Sequence, residues 1–344
     1  MSTISTEPTT RPAWLDRLGH SWRMKRSALP TLAALIIFVG MVIYGEVVYG
    51  RILQYNTISN LFINTAHLII IAVGMTFVIL MGGIDLSVGA VIAFSSVAGV
   101  ILVNAGWNPW LVMVLMVVMG GAFGALSGAL VQYAGVQPFI ATLATMFLAR
   151  GLASMLSTVP ERLPEDSAVR LVHYNIKLID GPRVNDLIVT PGVIIAALVV
   201  VGAVFTLHRT RFGRTIYAIG GSEQSAQLMG LRVARTKVLA YVISGALAGL
   251  AAVVYTSRLG AAQNITGIGW ELDAIAATVI GGTLLTGGAG YVLGSVVGAL
   301  VLGLMIVLIT RDGSIPPEAT TIITGGILLV FVLLQRAVVG RKRA

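Results

Sequence analysis

Five ionisable side chains lie in or beside runs that are otherwise apolar: Glu46, Asp85, Arg150, Glu271 and Asp273. A charge inside a bilayer costs on the order of 3 kcal/mol on insertion scales, so each must reach water, a partner or a function. Asp85 follows Gly82-Gly83-Ile84 and precedes Ser87, between two long apolar runs. Such a carboxylate could titrate during transport, line a polar route, or cap the helix that follows. Its place near a span end, like that of Glu46 and Glu271, predicts solvation by headgroups and water. Arg150 sits seven residues from the end of its run and can snorkel outward. The candidates for pathway or gating are therefore Asn64, Asp85, Ser87, Glu271 and Asp273. Asn64, Thr65, His67, Gln132, Gln137, Thr142 and Thr145 are the wider set that could line a polar route. Each could equally serve as a helix-to-helix hydrogen bond.

Other chemistries are excluded by what surrounds the polar residues. A phosphate-cradling loop needs Gly-Lys followed by Ser or Thr, and none of the four lysines follows a glycine. His20, His67, His173 and His208 are scattered, with no cysteine to join them, so no metal site is expected. Gly288-Ala289-Gly290 begins like a dinucleotide fingerprint but carries Leu293 where the third glycine belongs.

The elements that must position these residues are membrane spans. The chain is 56% apolar and 11% charged, with a mean hydropathy of +0.91, against roughly 25% charged in a soluble domain. Continuous apolar runs point to helices, not a barrel, because barrel strands alternate. At about 20 residues per crossing, ten spans are expected, at about 30–49, 60–81, 86–104, 109–133, 137–157, 191–207, 237–257, 271–286, 291–310 and 320–338. The third, eighth and ninth are interrupted by glycine and could be half-helices. Trp107 and Trp110 open the fourth and Trp270 the eighth, as interfacial anchors do.

Lys and Arg set the expected orientation. Residues 1–29, the loop at about 208–236 and residues 339–344 are rich in them, which places both termini in the cytoplasm. The net charge of +9 is thereby assigned to a membrane surface with anionic lipid, and nucleic acid is not needed as a partner. The loop at about 158–190, of mixed charge, falls outside, and 30–338 forms the membrane domain.

Two internal regularities stand out. LMGGIDLSVGA at 80–90 aligns with LTGGAGYVLGS at 285–295; with ten spans the offset covers an even number of crossings, which predicts a parallel repeat. Glycines also recur every four residues, at 120, 124 and 128, at 245 and 249, and at 290, 294 and 298. That spacing lets helix backbones approach, either inside the bundle or between subunits.

The loop at 208–236 carries Arg211 and Arg214 ahead of TIYAIGG. A short helix follows, with Ser222 as its cap, Glu223 at its positive end and Gly230 as its terminator. Held below the membrane between two spans, it suits docking into a groove on a cytoplasmic partner; a basic loop that only fixes orientation is the plainer reading.

At these residues the sequence resembles a known family. GMTFVILMGGIDLSVGAVIAF (74–94), TRFGRTIYAIGGSEQSAQLMG (210–230) and ELDAIAATVIGGTLLTGGAG (271–290) resemble the permease subunits of bacterial ABC monosaccharide importers, the ribose, xylose, arabinose and galactose branch. The resemblance spans about 30–338 and is nearest to galactofuranose importer permeases. It implies an all-α polytopic inner-membrane protein paired with a second copy or sister permease. Two cytoplasmic ATPases, which would bind ATP and Mg, and a periplasmic sugar-binding protein would complete the system, leaving no cofactor in this chain. Glu223, Ala226 and Gly230 match the family's ATPase-contacting loop, with Arg211 and Arg214 beside them. Two alternatives stay open: the same kind of permease with a nucleoside, autoinducer sugar or branched-chain amino acid as cargo, or an ion-coupled secondary transporter using Asp85 or Asp273.

Overall fold

The computed structural model describes residues 29–179, 181, 185–313, 316 and 319–340; residues 1–28 and 341–344 of the expected basic termini lie outside them. Twelve helices follow one another among the described residues. They are α1 (Leu29–Tyr49), α2 (Tyr55–Leu80), α3 (Val88–Asn104), α4 (Pro109–Gln132), α5 (Pro138–Leu156), α6 (Pro191–Arg209), α7 (Arg211–Gly221), α8 (Glu223–Leu228), α9 (Val233–Leu259), α10 (Trp270–Ile280), α11 (Val292–Asp312) and α12 (Ala319–Gly340). Seven of the described helices, α1, α2, α4, α5, α6, α9 and α11, are long and apolar enough to cross a membrane. The protein is an all-α polytopic membrane protein.

Contacts between helix ends sort the bundle into two poles. At one pole, four short strands gather: β1 (Glu161–Arg162) pairs antiparallel with β4 (Ala261–Ala262), and β2 (Ile176–Ile179) with β3 (Leu187–Val189). The C-terminal ends of α1 and α11 also meet there, through Tyr49 Oη donating to Asp312 (2.7 Å) and Arg311 donating to the Gly50 carbonyl (2.9 Å). On β2, Lys177 pairs with Asp186 at 2.7 Å and holds that carboxyl below its usual range. The other pole is built from glycine turns. Leu80 at the end of α2 accepts from the Gly288 N–H (2.9 Å), and Gly220 of α7 packs against both residues.

Two expected spans are broken. α2 stops in a left-handed glycine cap: the N–H groups of Gly82 (φ 78°) and Gly83 bond back to Ile79 and Val78. Residues 81–87 then run non-helical back up beside α2, so that Asp85 bonds Ser244, the residue against which Gly74 packs. Only at Val88 does α3 begin. Its counterpart starts at the strand pole, where residues 260–269 descend irregularly before α10 forms. α10 has 11 residues, about 16 Å at 1.5 Å per residue, half of a hydrocarbon core of about 30 Å. It ends in the same cap, with Gly282 (φ 94°) and Thr283 bonding back to Val279 and Thr278. The expected third and eighth spans are thus part helix and part extended chain. The expected ninth is a full 21-residue helix, α11. Glycine in α11 serves packing: Gly294 lies on Gly281 and Gly298 on Ala277.

The directions of the elements replace the expected parallel repeat with an inverted arrangement. A long helix, an irregular stretch and a half-helix occur twice, as α2–81–87–α3 and as α9–260–269–α10. The first set starts at the strand pole and the second at the glycine pole. The aligned segments 80–90 and 285–295 do touch, yet one leads into a half-helix and the other into full-length α11. Similar glycine turns, closing similar helix ends, account for their likeness.

Candidate functional site: crossed broken spans and a docking platform

Non-helical backbone inside a membrane is tolerable only where protein buries it. Residues 81–87 meet that condition through Asp85. Its Oδ1 accepts from the Ser87 N–H (3.0 Å) and Ser87 Oγ (2.6 Å), and its Oδ2 accepts from Ser244 Oγ on α9 (2.8 Å). Asp85 is fully buried, which corrects the expectation of solvation by headgroups. The glycine turn carries it back into the bundle, and hydroxyls replace water. It reaches Ser87 alone among the N–H groups opening α3. The Ile84 carbonyl of the same stretch accepts from Thr142 Oγ1 on α5 (3.3 Å).

The second irregular stretch is held by Arg150. Its Nη1 donates to the carbonyls of Asn264 and Thr266, both at 2.6 Å, and Asn264 donates to Ser154 Oγ (3.0 Å). Arg150 therefore turns inward instead of snorkelling, and its charge is coupled to Glu271. Glu271 and Asp273 occupy the first turn of α10, where carboxylates complement exposed N–H groups. The irregular stretches cross where Gly89 abuts Gly267, and the N-terminal ends of α3 and α10 meet there with Glu271 beside Gly89.

Of the pathway candidates, Asp85, Ser87, Glu271 and Asp273 belong to the two broken spans. Asn64 does not; it lies on an exposed face of α2. Thr145 bonds Ser127 (2.9 Å) and Thr65 bonds the Leu61 carbonyl, so both are structural links. Trp270 is no interfacial anchor: its ring lies 4.5 Å from His67, midway along α2, and 4.7 Å from Tyr255. The eighth span begins about ten residues earlier, as extended chain. Glu46, at the end of α1, accepts from the N–H groups of Ile52 (2.8 Å) and Leu53 (3.0 Å) and so caps the following turn.

The loop after α6 forms a platform at the glycine pole. Sequence reasoning missed α7. Its signal was the spacing of Phe212, Ile216 and Ile219, one face of a helix; Ile216 and Ile219 are buried. Tyr217 donates to the Gly290 carbonyl (2.8 Å), and burial pushes its phenol up to about 12. The short helix α8 forms as expected. Ser222 Oγ accepts from the Ser225 N–H (3.2 Å), Glu223 opens the helix, and Gly230 (φ 74°) follows its end. Ala226 is buried, anchoring α8, and Glu223 pairs with Lys237 at 2.6 Å. Arg211 and Arg214 are exposed on α7. Beyond them, Leu228 and Met229 project, 90% and 66% exposed.

A bundle with two discontinuous spans and a helical platform at one pole defines a membrane permease. Residues 57–333 match the family model described as branched-chain amino acid transport system/permease component, and the chain belongs to that permease family. It is 53% identical to the fructose import permease protein FruG of Bifidobacterium longum, over 92% of this chain and 93% of the relative. Identity to the Escherichia coli K12 ribose import permease protein RbsC is 37%, over 83% and 85% of the two chains. To the D-allose transport system permease protein AlsC of Escherichia coli K12 it is 34%, over 88% and 90%. No solved structure matches the chain.

Proposed function

We propose that this chain is the membrane-spanning permease subunit of a bacterial ABC importer for a monosaccharide. It forms the conduit while partner ATPases at the glycine pole, which we assign to the cytoplasm, supply the energy. The observation that carries this reading is the α7–α8 platform. Two exposed apolar side chains at its tip and two exposed arginines offer a partner-binding surface, and its inner face rests on both glycine turns. Displacement of the platform would therefore be felt where α2 ends and α11 begins. The Lys and Arg residues of 208–236 support the cytoplasmic assignment, and the mixed-charge strand pole is then the side of a periplasmic sugar-binding protein. ATP and Mg belong to the ATPases in this reading, and the chain carries no cofactor of its own. The family does not favour an ion-coupled secondary transporter.

The named relatives carry ketohexose, pentose and aldohexose in their titles, so D-fructose, D-ribose, D-allose and galactofuranose form the first substrate panel, with leucine for the family model's title. The test is uptake into proteoliposomes holding the permease with its neighbouring ATPase and binding protein. Uphill accumulation of a sugar that requires ATP is expected. Uphill accumulation by the permease alone, driven by an ion gradient, would overturn the reading.

A further inference from the structure

α2 carries a polar stripe that no packing requirement explains. Asn56, Asn60, Asn64 and His67 follow at intervals of four, four and three, which places all four within one face of a helix. The three asparagines are exposed and His67 is half-buried, while Leu68 through Leu80 below them are buried. The stripe therefore begins at the strand pole and stops halfway down the bundle. Amides aimed at lipid tails are costly, so this face meets water or protein.

Each end of the stripe has a distinct character. At the top is an open recess of about 520 Å³, lined by Tyr49, Arg51, Gln54, Asn56, Thr57, Asn60 and Arg311, within the size range of small-molecule sites. At the bottom is the cluster of His67, Tyr255 and Trp270, with centroid separations of 5.1, 4.5 and 4.7 Å, all three half-buried. A monosaccharide has hydroxyls that can both donate and accept, and a face of C–H bonds that is apolar. Asparagine amides match the first, since each donates and accepts; aromatic faces match the second.

We propose that this face lines the route of the sugar, and that His67, Tyr255 and Trp270 form a platform on which its ring rests halfway across the membrane. The inference rests on the permease reading above and adds to it the residues that meet the cargo. The platform closes on α10, whose first residue is Trp270, so movement of that half-helix would change the platform directly.

The chain has no cysteine, so single substitutions report alone. In the assembled complex with ATPase and binding protein, Asn60→Cys and Asn64→Cys are exposed to a charged, water-soluble methanethiosulfonate reagent. Leu198→Cys, at an exposed position on α6, serves as the lipid-facing control. Labelling of both asparagine positions at least tenfold faster than the control is expected; labelling no faster than the control overturns the route. In proteoliposomes, Trp270→Ala should reduce uptake at least tenfold with ATP hydrolysis within twofold of wild type, and Trp270→Phe should restore most of it. Wild-type uptake by Trp270→Ala overturns the platform. Labelling does not depend on the cargo, so a wild-type complex that moves no monosaccharide counts against the sugar reading and not against a water-lined face.

Discussion

Gly267 stands so close to Gly89 that a Cβ on Gly267 would lie 2.7 Å from the Gly89 carbonyl oxygen, and one on Gly89 would strike the Gly267 carbonyl. Two strands of irregular backbone can cross in the middle of a bundle only where neither brings a side chain. Gly89→Ala is expected to destabilise the protein by about 1–3 kcal/mol, as overpacking does. Gly202→Ala on α6, where a Cβ meets nothing within 4 Å, should be neutral. Thermal unfolding of the two purified variants in detergent makes the comparison, and equal melting would remove the crossing from the account.

Asp85 is satisfied by two serines and one backbone N–H, with no cation among its bonded partners. Its replacement by Asn keeps the shape but turns an acceptor into a donor facing hydroxyls. Asp85→Asn should lower the yield of assembled complex by several-fold, while the relative uptake of two sugars by what remains stays within twofold. A change in preference without loss of yield would show that Asp85 meets cargo.

Arg150 supplies the hydrogen bonds that tie residues 264 and 266 to α5. Arg150→Met removes a charged donor and leaves two carbonyls short of partners, a loss of about 1.5–3 kcal/mol. The expected readout is faster proteolysis within 260–269 at unchanged insertion. Cleavage identical to wild type would mean that the stretch is held by other contacts.

Gly220 packs on the Leu80 carbonyl and the Gly288 N–H, and a Cβ there would collide with both. Gly220→Val should push α7 off the glycine turns, so that ATP hydrolysis continues while uptake falls at least tenfold. Charge reversal at Arg214 or Glu223 should likewise leave insertion intact and uncouple hydrolysis from uptake. Coupled transport by all three variants would dissociate the platform from energy transfer.

The lengths of the apolar runs made most of the fold legible, because a membrane leaves the chain few alternatives. The short helix α8 was legible too, since Ser222, Glu223 and Gly230 each act on their own neighbours. What escaped depends on contacts distant in sequence. Asp85 reads as a surface carboxylate until residues 81–87 are seen to double back, and that path is fixed by Ser244, 159 positions away. Arg150 turns inward for the same kind of reason. The asparagine stripe was present in the spacing, but with Asn64 and His67 taken singly the periodicity went unread.

α4 and α9 lie antiparallel along a seam in which Gly120, Gly124 and Gly128 meet Gly245, Gly249 and the backbone at Val238 and Tyr241. Those glycines bind the subunit to itself, and along the seam main chain lies directly on main chain. Side chains can slide or swap rotamers, but peptide planes in register have no such slack. The pair is therefore a keel, moving as one body through the transport cycle, and the hinges of that cycle must lie elsewhere, in the two stretches of chain that never became helix.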